Sequence, residues 1–301
     1  MSNVLQRCAL RAAFIVPFVA LSCSPFQGWA GTLGVAQSFA VLGAAGVTNT
    51  GATQIYGNVG VTPAALAPPY FTGFPPGSIN GGTALGPASV ADQALFDINA
   101  AAIALSGLAM TSGGDLSTTN LGNGRTLTPG VYVMSDTTAL LDGTLNLDAT
   151  SNSSATFVFK LAFALTTGST SVVNVIGGNS NTQVYWLVGS QATLGSGSTF
   201  AGNILAGTSI TFDSTAKIEC GRAFARTGSV TLIDNLISGD CAAEGLGTLP
   251  SDFGSLGFSG STGGTGGTSG GGSVPEPGTL MLLGMGLGVG PLLLRKFRSA
   301  R

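Results

Sequence analysis

Apolar and polar residues alternate along much of this chain, and three stretches do so at a recurring spacing. In Gln191-Ala192-Thr193-Leu194, Ser209-Ile210-Thr211-Phe212 and Ser229-Val230-Thr231-Leu232, polar residues occupy every second position and apolar residues fill the gaps. A period of two is the signature of a strand with one buried face. The spacing between the threonines is 211 − 193 = 18 and then 231 − 211 = 20. Gly202-Asn203-Ile204-Leu205-Ala206 and Gly221-Arg222-Ala223-Phe224-Ala225 match at an offset of 221 − 202 = 19. A short repeat of this kind, built from short strands, predicts a solenoid in which each turn stacks on the last and side chains align into ladders. Gln191, Thr193, Ser209, Thr211, Ser229 and Thr231 then form one outward ladder, with Thr144 and Asn146 as candidates to extend it.

Other stretches read as strands too: Phe39 to Leu42, Val47 to Gly51, Ile55 to Gly60, Thr126 to Val133, Gly143 to Leu147, Thr156 to Lys160, Val172 to Ile176 and Val184 to Val188. Pro63, Pro68-Pro69 and Pro75-Pro76 make residues 62–87 an irregular excursion. From Ala88 to Met110 the texture changes to good helix formers without proline. Leu95, Ile98, Ala102 and Leu105 share one helical face there, with Ser89 as the candidate N-cap and Asp92 three positions on. A single apolar stripe predicts that this helix lies along one flank of the solenoid.

The two ends carry different signals. Arg7 and Arg11 precede an apolar run, and Gly28-Trp29-Ala30 offers small residues for cleavage, so residues 1–30 read as an export signal for signal peptidase. A lipidated Cys23 is the weaker alternative, because Ala20 stands where a bulky aliphatic residue is wanted. Residues 242–273 are rich in Gly, Ser and Thr and read as a flexible linker. Val274-Pro275-Glu276-Pro277 is followed by an apolar stretch from Gly278 to Leu294 and the basic residues Arg295, Lys296, Arg298 and Arg301. That order of motif, membrane-spanning helix and cytoplasmic basic tail resembles the PEP-CTERM sorting signal. The resemblance implies a membrane-anchored precursor cut by an exosortase near Pro275, Glu276 and Pro277, and a product at the cell surface or outside the cell.

Charge and chemistry narrow the function. Over residues 31–273 five basic residues, Arg125, Lys160, Lys217, Arg222 and Arg226, face twelve acidic ones, a net of 5 − 12 = −7 that disfavours nucleic acid and anionic lipid. The chain has no histidine, which removes the commonest general base and metal ligand. Cys220 and Cys241 are the two cysteines left after export, as a disulfide or as two free buried thiols; they are too few for a zinc site. Asp142, Asp148, Asp213 and Asp234 form no dense acidic cluster, and Arg222 and Arg226 read as structural residues that bind carbonyls or Asp side chains. No catalytic residues, cofactor or metal are assigned, and the expectation is a protein that is not an enzyme.

Several segments in one order resemble the microbial ice-binding family: Phe39-Ala40-Val41-Leu42, Gly46-Val47-Thr48-Asn49-Thr50-Gly51, Gly57-Asn58-Val59-Gly60, Leu127-Thr128-Pro129-Gly130-Val131-Tyr132, Phe157-Val158-Phe159, Ala192-Thr193-Leu194-Gly195, Thr199 to Ala206 and Gly221 to Arg226. The resemblance implies a mainly β fold, a three-sided right-handed β-solenoid over residues 31–241 with one long α-helix (about 88–110) packed alongside. It further implies adsorption to ice through one flat face, which inhibits ice growth and recrystallisation. The ladder above is one candidate face. The Thr-Gly-x-Thr pattern of some family members gives a second: Thr50 and Thr53, Thr167 and Thr170, with Ser198 and Thr199 as a weaker echo. The alternative function is a non-catalytic matrix or adhesion protein on the same scaffold, meeting extracellular polysaccharide.

Overall fold

The computed structural model describes residues 32–62, 68–117, 120–152, 155–178 and 182–239. The signal at residues 1–30, Cys241, the linker and the sorting segment lie outside the described residues. Three parallel sheets are wound from successive short strands. Sheet A runs in the order Ala84–Leu85, Asn58–Val61, Phe39–Gly43, Ala223–Ala225, Asn203–Ala206, Gln183–Val188, Thr156–Leu161 and Gly130–Met134. Sheet B runs Ala139–Leu141, Leu165–Thr167, Ala192–Leu194, Ile210–Phe212, Val230–Ile233, Val47–Thr50 and Phe71–Thr72. Sheet C runs Ser78–Asn80, Gln54–Tyr56, Leu236–Ser238, Lys217–Cys220, Thr199–Ala201, Val172–Ile176, Thr144–Asp148 and Arg125–Leu127. The chain visits A, B and C in turn, so the sheets are the three sides of a β-solenoid.

The order of coils is not the order of the sequence. Val41 of the first strand pairs with Ala223, and Gly43 with Ala225, so the N-terminal residues stack on the last C-terminal coil. Residues 62–87 depart from the expected irregular excursion: Phe71–Thr72, Ser78–Asn80 and Ala84–Leu85 add another coil beyond Val47–Val61. Two-residue strands flanked by prolines carry too little alternation to announce themselves.

The interior is apolar and layered. Tyr132, Phe159 and Trp186 align across neighbouring strands of sheet A and stack inside the coil, with ring centroids 5.5 Å and 3.9 Å apart. Phe200 closes the row at 4.9 Å from Trp186. Aromatic rings fill a wide coil with few rotamers to order. Where the coils tighten, Ile204, Ala223 and Val41 take over the same row.

Sheet A is buried on both faces. Its alternate residues Leu42, Val158, Tyr185, Leu205 and Phe224 point away from the coil interior and meet Ala91, Ala94, Ile98, Ala101, Ala102 and Leu105 of the helix Val90–Ser106. The helix starts where expected, because Ser89 Oγ accepts the Ala91 N–H at 3.1 Å and Asp92 Oδ2 accepts the Ala88 N–H at 2.9 Å. It stops at Gly107 rather than Met110. Lys160, reaching up from sheet A, caps its C-terminal end: Nζ donates to the carbonyls of Ser106 (2.9 Å) and Leu108 (2.8 Å). A cation on those carbonyls also meets the negative end of the helix dipole. Lys160→Met is expected to lower stability by about 1–3 kcal/mol through loss of two charge-assisted hydrogen bonds, read as a lower melting temperature in circular dichroism.

Two arginines clamp the same layer. Buried Arg222 donates from Nε to the Gln37 carbonyl at 2.9 Å and from Nη1 to Asn203 Oδ1 at 3.1 Å. Arg226 Nε donates to Asn99 Oδ1 of the helix at 2.8 Å, and its partial burial lowers its pKa from the ordinary guanidinium value. Cys220 is buried at the end of a sheet C strand and is disulfide-bonded. Replacing it by Ser is expected to cost about 2–4 kcal/mol. A reductant should lower the melting temperature of the parent chain and leave that of Cys220→Ser unchanged.

Candidate functional site

Sheet B places one outward residue of each strand in a single file. The register pairs Leu140 with Thr166, Thr166 with Thr193, Thr193 with Thr211, Thr211 with Thr231, Thr231 with Thr48, and Thr48 with Thr72. Six consecutive strands therefore present threonine at the same position. Their apolar neighbours Leu165, Ala192, Leu194, Ile210, Phe212, Val230, Leu232 and Val47 point inward and are buried, which is why the threonines must point out. With parallel strands about 4.8 Å apart, the file spans roughly 24 Å. None of the six hydroxyls is engaged by a hydrogen bond within the described residues, so all remain available to water. Each Thr is branched at Cβ, which restricts χ1 and keeps the row ordered.

Beside this file the second column is shorter. Gln191, Ser209 and Ser229 follow one another across the backbone bonds Ala192 N–H to Ser209 O and Ile210 N–H to Ser229 O, both 3.0 Å. The column then passes to Gly46 and Tyr70. Ser209 Oγ accepts the Ser229 N–H at 3.3 Å, so this hydroxyl is partly committed to the backbone.

The other two sides differ. Sheet A is covered by the helix. Sheet C is open but mixed: along one of its files Thr144, Val172, Thr199, Lys217, Leu236, Gln54 and Ser78 are paired in sequence. Glu219 and Tyr56 stand in the neighbouring file, where Asn174 Nδ2 donates to Asn146 Oδ1 at 3.0 Å. Long charged and aromatic side chains make that side uneven. Thr144 and Asn146 belong to sheet C, and so they do not extend the ladder of sheet B.

A family model described as ice-binding-like matches residues 41–238, the coils and the helix together. The chain belongs to this ice-binding-like family. A curated ice-binding protein of Nostoc sp. (strain HG1) is 42% identical over 232 residues, covering 76% of this chain and 82% of that relative. The crystal structure of an ice-binding protein from the Antarctic ascomycete Antarctomyces psychrotrophicus superposes with a TM-score of 0.61 at 36% identity, over 68% of this chain and 96% of that one. An ice-binding protein from an Antarctic biological consortium gives a TM-score of 0.63 at 38% identity, over 70% and 91%. A PEP-CTERM protein-sorting motif matches residues 273–299.

Within this ice-binding-like fold the Thr-Gly-x-Thr residues occupy the corner between sheets B and C and do not share a face. Thr53, Thr167 and Ser198 are buried. Thr53 Oγ1 accepts the Asn235 N–H at 3.0 Å and Thr167 Oγ1 accepts the Gly195 N–H at 2.8 Å, so both hold neighbouring coils together. Thr170 sits in the turn itself at φ 58°. Thr199 opens a strand of sheet C, whereas Thr50 lies outward on sheet B, paired with Ile233. The three motifs look alike in sequence but are offset by one or more positions in the coil, and an offset of one turns a side chain from surface to core.

Perturbed titratable groups lie off the threonine file. Burial raises the Tyr132 phenol, whose hydroxyl donates to the Thr128 carbonyl. Hydrogen bonds from Thr150 hold the Asp148 carboxyl below its ordinary value, as those from Ser117 do for Asp115. Among the described residues no group of His, Cys, Asp and Glu is placed to hold a metal ion, and no helix is long and apolar enough to cross a membrane.

Proposed function

We propose that this protein is exported and adsorbs to ice through sheet B, slowing ice growth and recrystallisation. The observation that carries the reading is the unbroken file Thr166, Thr193, Thr211, Thr231, Thr48 and Thr72, flanked by Gln191, Ser209 and Ser229. The strand spacing of about 4.8 Å and the i to i+2 distance of about 6.7 Å make a grid on the scale of ordered water. Methyl groups limit competing hydration while hydroxyls bond lattice water, and the packed interior keeps the grid stiff. The ice-binding proteins of Nostoc and of the Antarctic ascomycete support the same target. Such a surface works by adsorption, with no catalytic step, cofactor or metal. The PEP-CTERM motif supports a precursor held in the inner membrane by its C-terminal segment and processed by an exosortase, with signal peptidase acting at the other end. Thermal hysteresis and ice recrystallisation assays on the purified chain test the reading. Faceted crystals and small stable grains are expected; a folded sample inert at high concentration would sink it.

A further inference from the structure

Beside the helix, the outward side of sheet A holds a cleft that the threonine file does not use. Its volume is about 360 Å³, at the small end of the range of about 300–1,000 Å³ common for small-molecule sites. The helix supplies one wall through Ile103 and Ser106, and sheet A supplies the floor through Val133 and Leu187. Val133, Lys160 and Leu187 follow one another across three paired strands, so the lysine stem lies between two aliphatic side chains. Gly189 puts no side chain into the gap, and a Cβ there would lie 2.1 Å from the Ala162 carbonyl oxygen.

Two cations line this cleft, and no carboxylate does. Within the described residues Arg226 uses only Nε, on Asn99 Oδ1 of the helix, which leaves the Nη donors open. Partial burial has taken part of the hydration of this guanidinium, the cause of its lowered pKa. Lys160 gives two of its three donors to the Ser106 and Leu108 carbonyls and keeps one. From Asn99 to Ser106 the helix rises about 10 Å, which separates the two cationic heads along the cleft. Over residues 31–273 acidic residues outnumber basic ones by twelve to five, so two cations gathered at one apolar cleft with no acidic lining are a complement to an anion from outside the chain.

From this arrangement we propose that the cleft binds a small anionic amphiphile, an aliphatic monocarboxylate whose head takes the open fork of Arg226 and whose chain lies over Val133 and Leu187 against Ile103. A planar guanidinium matches a carboxylate with two parallel hydrogen bonds. Lys160 adds positive potential from the floor without releasing the helix end. The volume admits one short chain and excludes a lipid with two. A neutral alcohol of the same length would leave the half-desolvated guanidinium unpaired, and acetate would leave the apolar floor wet. The site belongs to sheet A and the helix, so it is independent of which face meets ice.

Octanoate, octan-1-ol and acetate are the probes, titrated into the purified chain by isothermal titration calorimetry. Octanoate is expected to bind saturably at a single site, about 100-fold more tightly than acetate and about tenfold more tightly than octan-1-ol. Ile103→Glu sets a carboxylate on the wall at a position that is 71% exposed, where the fold does not depend on the side chain; it should weaken octanoate about tenfold. Arg226→Gln should bring octanoate down to the affinity of octan-1-ol, with circular dichroism confirming that the chain stays folded without its bond to Asn99. Absence of saturable octanoate binding overturns the proposal. So does equal affinity of the parent chain for octanoate and octan-1-ol, or undiminished octanoate affinity in the Ile103→Glu chain.

Discussion

Thr211→Tyr is expected to abolish most of the thermal hysteresis of this protein while leaving its circular dichroism spectrum and melting temperature close to those of the parent. Thr211 is in the middle of the file, with Thr193 on one side and Thr231 on the other. A tyrosine there adds a ring that stands several ångströms above its neighbours. Contacts on a rigid surface decay fast: a gap of about 0.5–1 Å already forfeits a quarter to a half of a dispersion well. The ring would lift the neighbouring threonines from the ice together. The backbone has no reason to respond, because the side chain points to solvent while Ile210 and Phe212 remain buried. Thr231→Tyr should behave the same way. Thr211→Ser is the gentler control, keeping the hydroxyl and losing the methyl and the χ1 restriction, and should retain part of the activity. Hysteresis measured on a nanolitre osmometer beside thermal melts separates loss of the surface from loss of the fold.

The largest effect on stability is expected from Trp186→Ala, at about 3–5 kcal/mol. The indole lies 3.9 Å from Phe159 at an interplanar angle of 8°, packs against Phe200, and donates from Nε1 to the Ala201 carbonyl at 3.0 Å. Removing it opens a cavity across the widest coils and leaves a buried carbonyl without its partner. In a domain of this size the melting temperature should fall by on the order of 10 °C. Trp186→Phe is the milder change, since it keeps a stacking ring while losing the hydrogen bond and part of the indole's buried volume; its cost should be about 1–3 kcal/mol. Activity measured near the melting point of ice should survive in whichever variant remains folded, because Trp186 touches the interior and not sheet B. A melting temperature unchanged in Trp186→Ala would mean that the ring row does not hold the coils together.

Sequence alone revealed the parts of the molecule whose pattern is local and regular. The three tight coils carrying Thr193, Thr211 and Thr231 repeat at a nearly constant spacing, so both the solenoid and half of the threonine file were legible from alternation. The helix was equally plain from its apolar stripe and Ser89 cap. The other half of the file was hidden for two physical reasons. Thr166 stands a longer interval before Thr193, because the earlier coil carries extra chain between Ile176 and Gln183 that breaks the period. Thr48 and Thr72 reach the file only because the N-terminal strands stack on the last coil, where Thr48 meets Thr231 across most of the domain's sequence, a junction that no local pattern records. The opposite error affects the Thr-Gly-x-Thr motifs. Their letters match, yet corner geometry buries Thr53, Thr167 and Ser198, and burial at a solenoid corner depends on how neighbouring coils stack.

In the proposed mode of binding one continuous file on sheet B meets the ice, including threonines that the chain brings from its two ends. The most direct measurement compares the thermal hysteresis of Thr48→Tyr and Thr199→Tyr. Thr48 is in the file across the junction of the N- and C-terminal coils; Thr199 lies on sheet C beside Lys217. Thr48→Tyr is expected to lose activity as Thr211→Tyr does, and Thr199→Tyr to keep the activity of the parent chain. Full activity in Thr48→Tyr with loss in Thr199→Tyr, both chains folded, would contradict that mode of binding and move the ice-binding surface to sheet C.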